Sequence, residues 1–469
     1  MAMENSPPSP HFLFVVSGIQ GHINPARRLA TSLMTSSTPA AVRVTFSVPV
    51  SAHRLMFPSL TSPDEETVDD AGVTYIPHSD GFDDGYNQEV HGTSTYKSRT
   101  QAAGTETLAA IVAALAARGR PATRIVYTFL VVWVPAVARE LGIPAAIYWI
   151  QPAAVFAVYY HYFHGHDAAL AACATSDGDD DHAVVRLPGM PPLRSDELPS
   201  PVSITSPAHR HYLLLDMLRD LFRDIDELRP TVLVNTFDAL EHDALRAVPE
   251  LEILAVGPVV PDDGESSQSN TDIFRRDGDA NASSYMDWLD TKPARSVIYV
   301  SFGTILTMSE RQVEEMRRGL EATGRPYLWV SRHDAAAVSE KGMVVEWCDQ
   351  VRVLSHEAVG CFVTHCGWNS ALESVTRGVP MVAVPQWTDQ PTVAWLVGER
   401  MGAGVRARVD GEGVVERGEL RRCVELAMST DGDGDGVRAQ AEQWRKRAEE
   451  AVAVGGSSER NLRAFALGP

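Results

Sequence analysis

Cysteine is scarce in this chain, five in 469 residues. Cys173, Cys348, Cys361, Cys366 and Cys423 show no metal-ligand spacing, so neither a disulfide framework nor a cysteine metal site is expected. Positive charge is also in deficit: Lys and Arg number 41 against 61 Asp and Glu, a net charge of −20. Such a surface repels phosphate backbones and anionic lipid heads, which argues against a nucleic-acid or membrane-surface binder. It leaves room for a small anionic ligand, because a helix terminus overrides the global field locally. Long apolar runs are missing too: none reaches the roughly 18–20 residues of a membrane helix. Residues 1–10 are polar and proline-rich, and the apolar run 12–16 is too short for a signal core and has no basic region before it. A cytoplasmic, reducing setting is the expectation. Asn281-Ala282-Ser283 matches a glycosylation sequon, but without a secretory signal it reads as an ordinary loop. No internal repeat is evident. The segment Ser17-Gly18-Ile19-Gln20-Gly21-His22 lacks the Gly-x-Gly-x-x-Gly pattern of a nicotinamide-dinucleotide enzyme.

What is present is a globular composition, 44% hydrophobic and 22% charged, in a length that fits two or three domains. Short apolar runs at 12–16, 42–48, 125–129, 145–149 and 232–235 read as buried strands, with helix-period stretches such as 25–35 and 131–141 between them. The alternation restarts at 296–301, 327–330, 360–364 and 380–384. It predicts two doubly wound α/β halves whose strand ends face a cleft. The segment 258–284 has almost no apolar periodicity and reads as a linker. The expected division is therefore 1–257, linker 258–284, and 285–469, with a charged amphipathic helix at 437–454 and the final helix packing back on the first half. The acidic Gly-rich tracts 176–181 and 431–436 lack EF-hand spacing and read as solvated loops.

The densest chemistry follows the strand 360–364. A glycine-containing turn, His365-Cys366-Gly367, leads into a helix beginning near Trp368-Asn369-Ser370. Free backbone N–H groups and the positive helix end make a diphosphate site without metal. His365, Asn369 and Ser370 can add side-chain donors. Glu373, one turn after Asn369, can accept from ribose hydroxyls. Taken alone, the same residues could simply cap the helix.

The wider segment reads Trp347-Cys348-Asp349-Gln350, then Leu354, His356, Gly360, Thr364-His365-Cys366-Gly367-Trp368-Asn369-Ser370, Leu372-Glu373, Gly378-Val379-Pro380, Pro385 and Asp389-Gln390. It resembles the signature box of the family 1, UDP-sugar-dependent plant secondary-product glycosyltransferases. Gly21-His22-Ile23-Asn24-Pro25, Leu187-Pro188-Gly189, Asn235-Thr236-Phe237, Gly257-Pro258 and Ser301-Phe302-Gly303-Thr304 extend the resemblance over the whole chain, nearest to the anthocyanin 5-O-glucosyltransferase group. The resemblance implies a GT-B fold, two Rossmann-like domains facing a cleft, and inverting transfer of glucose from UDP-glucose to an oxygen of a small lipophilic acceptor. It implies roles as well. Trp347 would stack on uracil, Cys348 read its edge through the backbone, and Gln350 reach the ribose. Thr304, His365, Asn369 and Ser370 would hold the diphosphate and Glu373 the ribose, while Trp368, Asp389 and Gln390 would meet sugar hydroxyls. No metal or other cofactor is expected, and the expected state is a monomer.

By the same resemblance His22 is the general base. It lies between the first strand and the next helix, where Asn24 is a candidate N-cap, Pro25 suits the first turn, and a positive helix end disfavours imidazolium. The family usually pairs this His with an Asp, and here Thr128 occupies that position. A hydroxyl orients an imidazole but does not stabilise its cation as a carboxylate does. Acidic acceptors, phenols or carboxylic acids, are therefore expected, and a UDP-sugar-binding protein without turnover remains the alternative. Ile150 stands where many relatives carry Thr, with Gln151 as a candidate substitute. Tyr148–Pro152, the aromatic run 159–164, Phe82 and Tyr86 are candidate acceptor walls, with the aromatic run also reading as a core helix whose tyrosine edges are wet.

Overall fold

A computed structural model describes residues 9–35, 42–62, 65–175, 183–260, 282–303, 308–331, 341–429 and 436–467. Thr304, Asn281, most of the segment 258–284 and all but the edge of the two acidic tracts lie outside these residues.

Among the described residues the strands are β1 (His11–Val15), β2 (Arg43–Ser47), β3 (Thr67–Val68), β4 (Thr74–Tyr75), β5 (Arg124–Thr128), β6 (Ala145–Trp149), β7 (Val184–Val185), β8 (Leu193–Arg194), β9 (Thr231–Val234), β10 (Ile253–Ala255), β11 (Val297–Ser301), β12 (Tyr327–Val330), β13 (Gly342–Val345), β14 (Val359–Thr364), β15 (Met381–Ala383) and β16 (Gly404–Arg406). They form an eight-stranded sheet, β10-β9-β6-β5-β1-β2-β4-β3, and a six-stranded sheet, β13-β12-β11-β14-β15-β16. The small pair β7–β8 stands apart. Every pairing in the large sheets is parallel except β3 with β4. Strands buried on both faces read as continuous apolar runs, which is why β1, β5 and β14 were legible in the sequence. The two-residue strands β3 and β4 are too short to carry such a run.

Chain order reverses between β1 and β5 in one sheet and between β11 and β14 in the other. These are the switch points where adjacent loops diverge and leave a crevice at the carboxyl ends of the strands. Five helices flank or brace this crevice: α1 (Gln20–Thr35), α2 (Ala153–His161), α3 (Trp368–Arg377), α4 (Val437–Val452) and α5 (Ser457–Leu467). Helix α3 ends at Gly378, whose φ of 64° is the left-handed conformation a glycine adopts without a Cβ clash.

The charged helix read at 437–454 is α4, and a second helix, α5, follows it. Helix α4 packs Ala441, Trp444 and Ala448 into the core around the six-stranded sheet. Helix α5 crosses to the other half, where Leu462, Phe465 and Ala466 join the core of the eight-stranded sheet. The Phe465 ring lies 5.6 Å from that of Phe12. Arg124 donates to the Phe465 carbonyl at 2.9 Å, and Asn461 to that of Ala255 at 2.9 Å.

Candidate active site

A cleft of about 2530 Å³ runs between the halves, at the carboxyl ends of both sheets. Of the candidate residues that are described, His22, Trp347, Cys348, Gln350, His365, Trp368, Asn369, Ser370, Glu373, Asp389 and Gln390 all line it.

His22 enters the cleft from the first turn of α1. The Ile19 carbonyl accepts from the N–H of His22 at 2.8 Å and of Ile23 at 3.0 Å. The helix therefore starts upstream of the expected position, and Asn24 lies inside it instead of capping it. Pro25 is also internal. It has no N–H to offer the Gly21 carbonyl four residues back. That carbonyl is taken instead by Asn369 Nδ2 at 2.9 Å, from the opposite half.

The His22 side chain is 6% exposed, and its ring lies 4.8 Å from that of Phe129. Burial lowers its pKa to about 3, so the imidazole is neutral. Loss of solvent produces this shift; the helix end assumed from sequence does not enter it. Thr128 ends β5 directly beside β1, where Val15 pairs with Tyr127. Its Oγ1 and His22 Nδ1 are both buried without a hydrogen-bond partner.

On the other side, β14 delivers His365 and the turn to α3. Cys366 takes a φ of 61°, unusual for a residue with a side chain. The His365 ring is held between two glycines. A Cβ at Gly367 would stand 2.6 Å from its Nε2, and one at Gly303 would stand 3.1 Å away. Burial lowers the His365 pKa to about 4, so its imidazole is neutral. The first turn of α3 points its free N–H groups at the same space.

Gln350 organises the next layer. Its Nε2 donates to Ser370 Oγ at 3.0 Å and to Glu373 Oε2 at 2.8 Å. Its Oε1 accepts from Tyr299 at 3.2 Å, and the same hydroxyl lies 3.4 Å from Cys348 Sγ. Glu373 Oε1 accepts from Arg28 of α1 at 3.2 Å. Trp347 is half-buried and lines the cleft.

Two expected sugar contacts are partly committed elsewhere. Trp368 donates its indole N–H to the Asn235 carbonyl at 2.7 Å, which leaves its backbone and ring edge for a ligand. Gln390 Oε1 accepts from the N–H groups of Gln386 at 2.8 Å and Trp387 at 3.1 Å, so only its amide nitrogen is uncommitted to that loop. Asp389 is buried, and burial raises its pKa to about 6, offset in part by hydrogen bonds from Thr388 and Gln151. Gln151 thus stands beside Asp389.

Of the acceptor candidates, Tyr86, Ile150, Gln151 and Tyr159 line the cleft. Tyr148, Trp149 and Tyr160 are core residues. Phe82 is buried behind Tyr86, its ring 5.1 Å away. Arg28 and Tyr299 were missed from sequence. The signal for Tyr299 is a hydroxyl within an otherwise apolar strand, whereas the partner of Arg28 is set by packing alone. Among the described residues no cluster of three His, Cys, Asp or Glu is arranged to hold a metal, and no helix is long and apolar enough to cross a membrane.

Two Rossmann-like sheets with a neutral histidine on one lip and a donor-rich helix start on the other define a glycosyltransferase of the GT-B class. The family model for UDP-glucoronosyl and UDP-glucosyl transferase matches residues 270–412. The chain is 40% identical to UDP-glycosyltransferase 75C1 of Solanum lycopersicum, over 98% of each protein. It is 39% identical to anthocyanidin 3-O-glucoside 5-O-glucosyltransferase 1 of Perilla frutescens, over 95% of this chain and 96% of that one. Among solved structures, Os79 from O. sativa in complex with UDP matches with a TM-score of 0.80 at 30% identity, over 97% of this chain and 99% of the other. The chain belongs to this family of UDP-sugar-dependent transferases.

Proposed function

We propose that the protein transfers glucose from UDP-glucose, with inversion, to an oxygen of a small lipophilic plant metabolite such as a flavonoid, an aromatic acid or a hormone. The observation that carries this reading is the placement of His22, buried, neutral and on the cleft, across from the start of α3. The uracil stacks on Trp347 and is read by the backbone of Cys348. The ribose meets Gln350 and Glu373, and the diphosphate meets His365, Asn369, Ser370 and the α3 N-terminus, with Thr304 completing that set. Asp389, Gln390 and Trp368, which line the cleft beside one another, receive the sugar. No metal ion is required, because N–H donors and the helix end supply the countercharge.

His22 takes the proton of the acceptor hydroxyl as that oxygen bonds to the anomeric carbon. The bond from that carbon to UDP breaks on the opposite face, and the α-linked sugar becomes β-linked. A buried imidazole with a pKa near 3 is a weak base, and Thr128 in place of a carboxylate gives little support to its cation. The acceptors are therefore acidic at the reacting oxygen. The enzyme is a cytoplasmic monomer in this reading.

An acceptor panel with UDP-glucose, UDP-galactose and UDP-xylose, read by product mass, tests it. Glucosides of phenols or acids are expected, unaffected by EDTA and lost in His22→Ala. Binding of UDP-glucose with neither transfer nor hydrolysis supports the binding-protein reading that Thr128 leaves open. Faster turnover of a simple alkanol than of any phenol refutes the acidic-acceptor assignment.

A further inference from the structure

Helices α1 and α3 face each other across the cleft, and two polar rungs join them. One is Asn369 with the Gly21 carbonyl. The other lies two turns further along α1 and one turn further along α3, where Arg28 Nη1 meets Glu373 Oε1 at 3.2 Å. The other oxygen of Glu373 accepts from Gln350 at 2.8 Å. One carboxylate is thus gripped on both oxygens, by a side chain from each half of the molecule.

The terminal torsion of a glutamate is broad, and a contact on one oxygen alone leaves the carboxylate plane free to turn. Contacts on both oxygens remove that freedom. An ionised carboxylate offers about four lone-pair sites, so this grip leaves acceptor capacity in a fixed plane facing the cleft. The Arg28 and Glu373 side chains are only 24% and 10% exposed, so the guanidinium is held largely out of water at this one place. Dehydrating a cation is costly unless a specific partner offsets it, and Glu373 is that partner.

We propose that Arg28, on the acceptor-side helix, is a positioning residue for the donor ribose: it sets the plane of the Glu373 carboxylate to receive the vicinal hydroxyls. Ribose recognition then depends on α1 and is not a property of the donor half alone. The inference rests on the assignment of Glu373 to the ribose.

The test compares binding of UDP and of 2′,3′-dideoxy-UDP by calorimetry in the full chain and in Arg28→Ala, Arg28→Lys and Glu373→Gln. The expected result is a preference for UDP that falls about fivefold in Arg28→Ala, the scale of a partly screened ion pair, with dideoxy-UDP affinity unchanged. Lysine, keeping the charge but not the planar fork, restores the preference only in part. Equal weakening of both nucleotides makes Arg28 a general anion attractor and overturns the proposal. Loss of preference in Glu373→Gln with none in Arg28→Ala overturns it while leaving the ribose assignment intact. A wild-type chain without preference removes both. Arg28→Gln, which keeps the apolar stem, takes the place of the alanine variant if that variant melts early.

Discussion

Asn369 Nδ2 donates to the Gly21 carbonyl at 2.9 Å, and that carbonyl is available because Pro25 has no N–H to fill it. The bond ties the residue before the candidate base to a residue expected at the diphosphate. Asn369 keeps a second amide hydrogen for a phosphate oxygen. Replacement by Asp removes both donors and adds a negative charge facing the ligand. Asn369→Asp is expected to raise KM for UDP-glucose by at least about tenfold, the scale of a lost charge-assisted hydrogen bond. An unchanged donor KM would remove Asn369 from the diphosphate site.

His22→Ala is expected to lower kcat by about 10²–10⁴-fold while UDP still binds, since base catalysis is worth that much. In the wild type the imidazole is neutral at every pH well above 3. The rate profile therefore shows no acid limb near pH 6.5 from this group. A limb at pH 6.5 that vanishes in the alanine variant would show a solvated histidine instead.

Asp389 titrates near pH 6, with burial as the main cause. Its carboxylate, the proposed acceptor for sugar hydroxyls, is present above that pH and protonated below it. KM for UDP-glucose is expected to rise between pH 6.5 and 5 in the wild type, and the rise to be absent in Asp389→Asn. UDP itself, lacking the sugar, serves as the control and keeps its affinity across the same range.

Gln390 holds the backbone of Gln386 and Trp387 through its carbonyl oxygen. A His there offers at most one acceptor nitrogen in different geometry, so Gln390→His disturbs the loop as well as the proposed sugar contact. Turnover with UDP-glucose is expected to fall about tenfold or more, by loss of roughly one to two hydrogen bonds, with no matching gain for UDP-galactose. A clean exchange of glucose for galactose preference would place sugar choice in this one side chain.

Buried His22 and His78 both have pKa values lowered to about 3, in each case by burial. The unfolded chain binds protons at these positions below about pH 6.5 and the folded chain does not. Stability is therefore full above pH 6.5 and lost progressively as pH falls toward 3. The slope is on the order of 1.4 kcal/mol per pH unit for each group. Urea midpoints between pH 7.5 and 5 measure it, and in His78→Phe the slope is expected to be shallower by one proton.

The sequence by itself determined two things. It determined the alternation of buried strands and helices, because strands covered on both faces must be apolar throughout, as in β1, β5 and β14. It also determined the strand, turn and helix at 360–377, because that succession is contiguous in the chain and set by local pattern. The tertiary structure decided what local rules cannot reach. Pro25 and Asn24 read as a helix start, yet α1 begins earlier, and the Gly21 carbonyl that the proline leaves open is taken by Asn369, 348 positions from Gly21 in the chain. Arg28 and Glu373, 345 positions apart, meet only because two sheets bring their strand ends together. Trp368 gives its N–H to Asn235 across the same gap. The depressed pKa of His22 has the same origin, since a histidine loses its solvent only when the surrounding elements close over it.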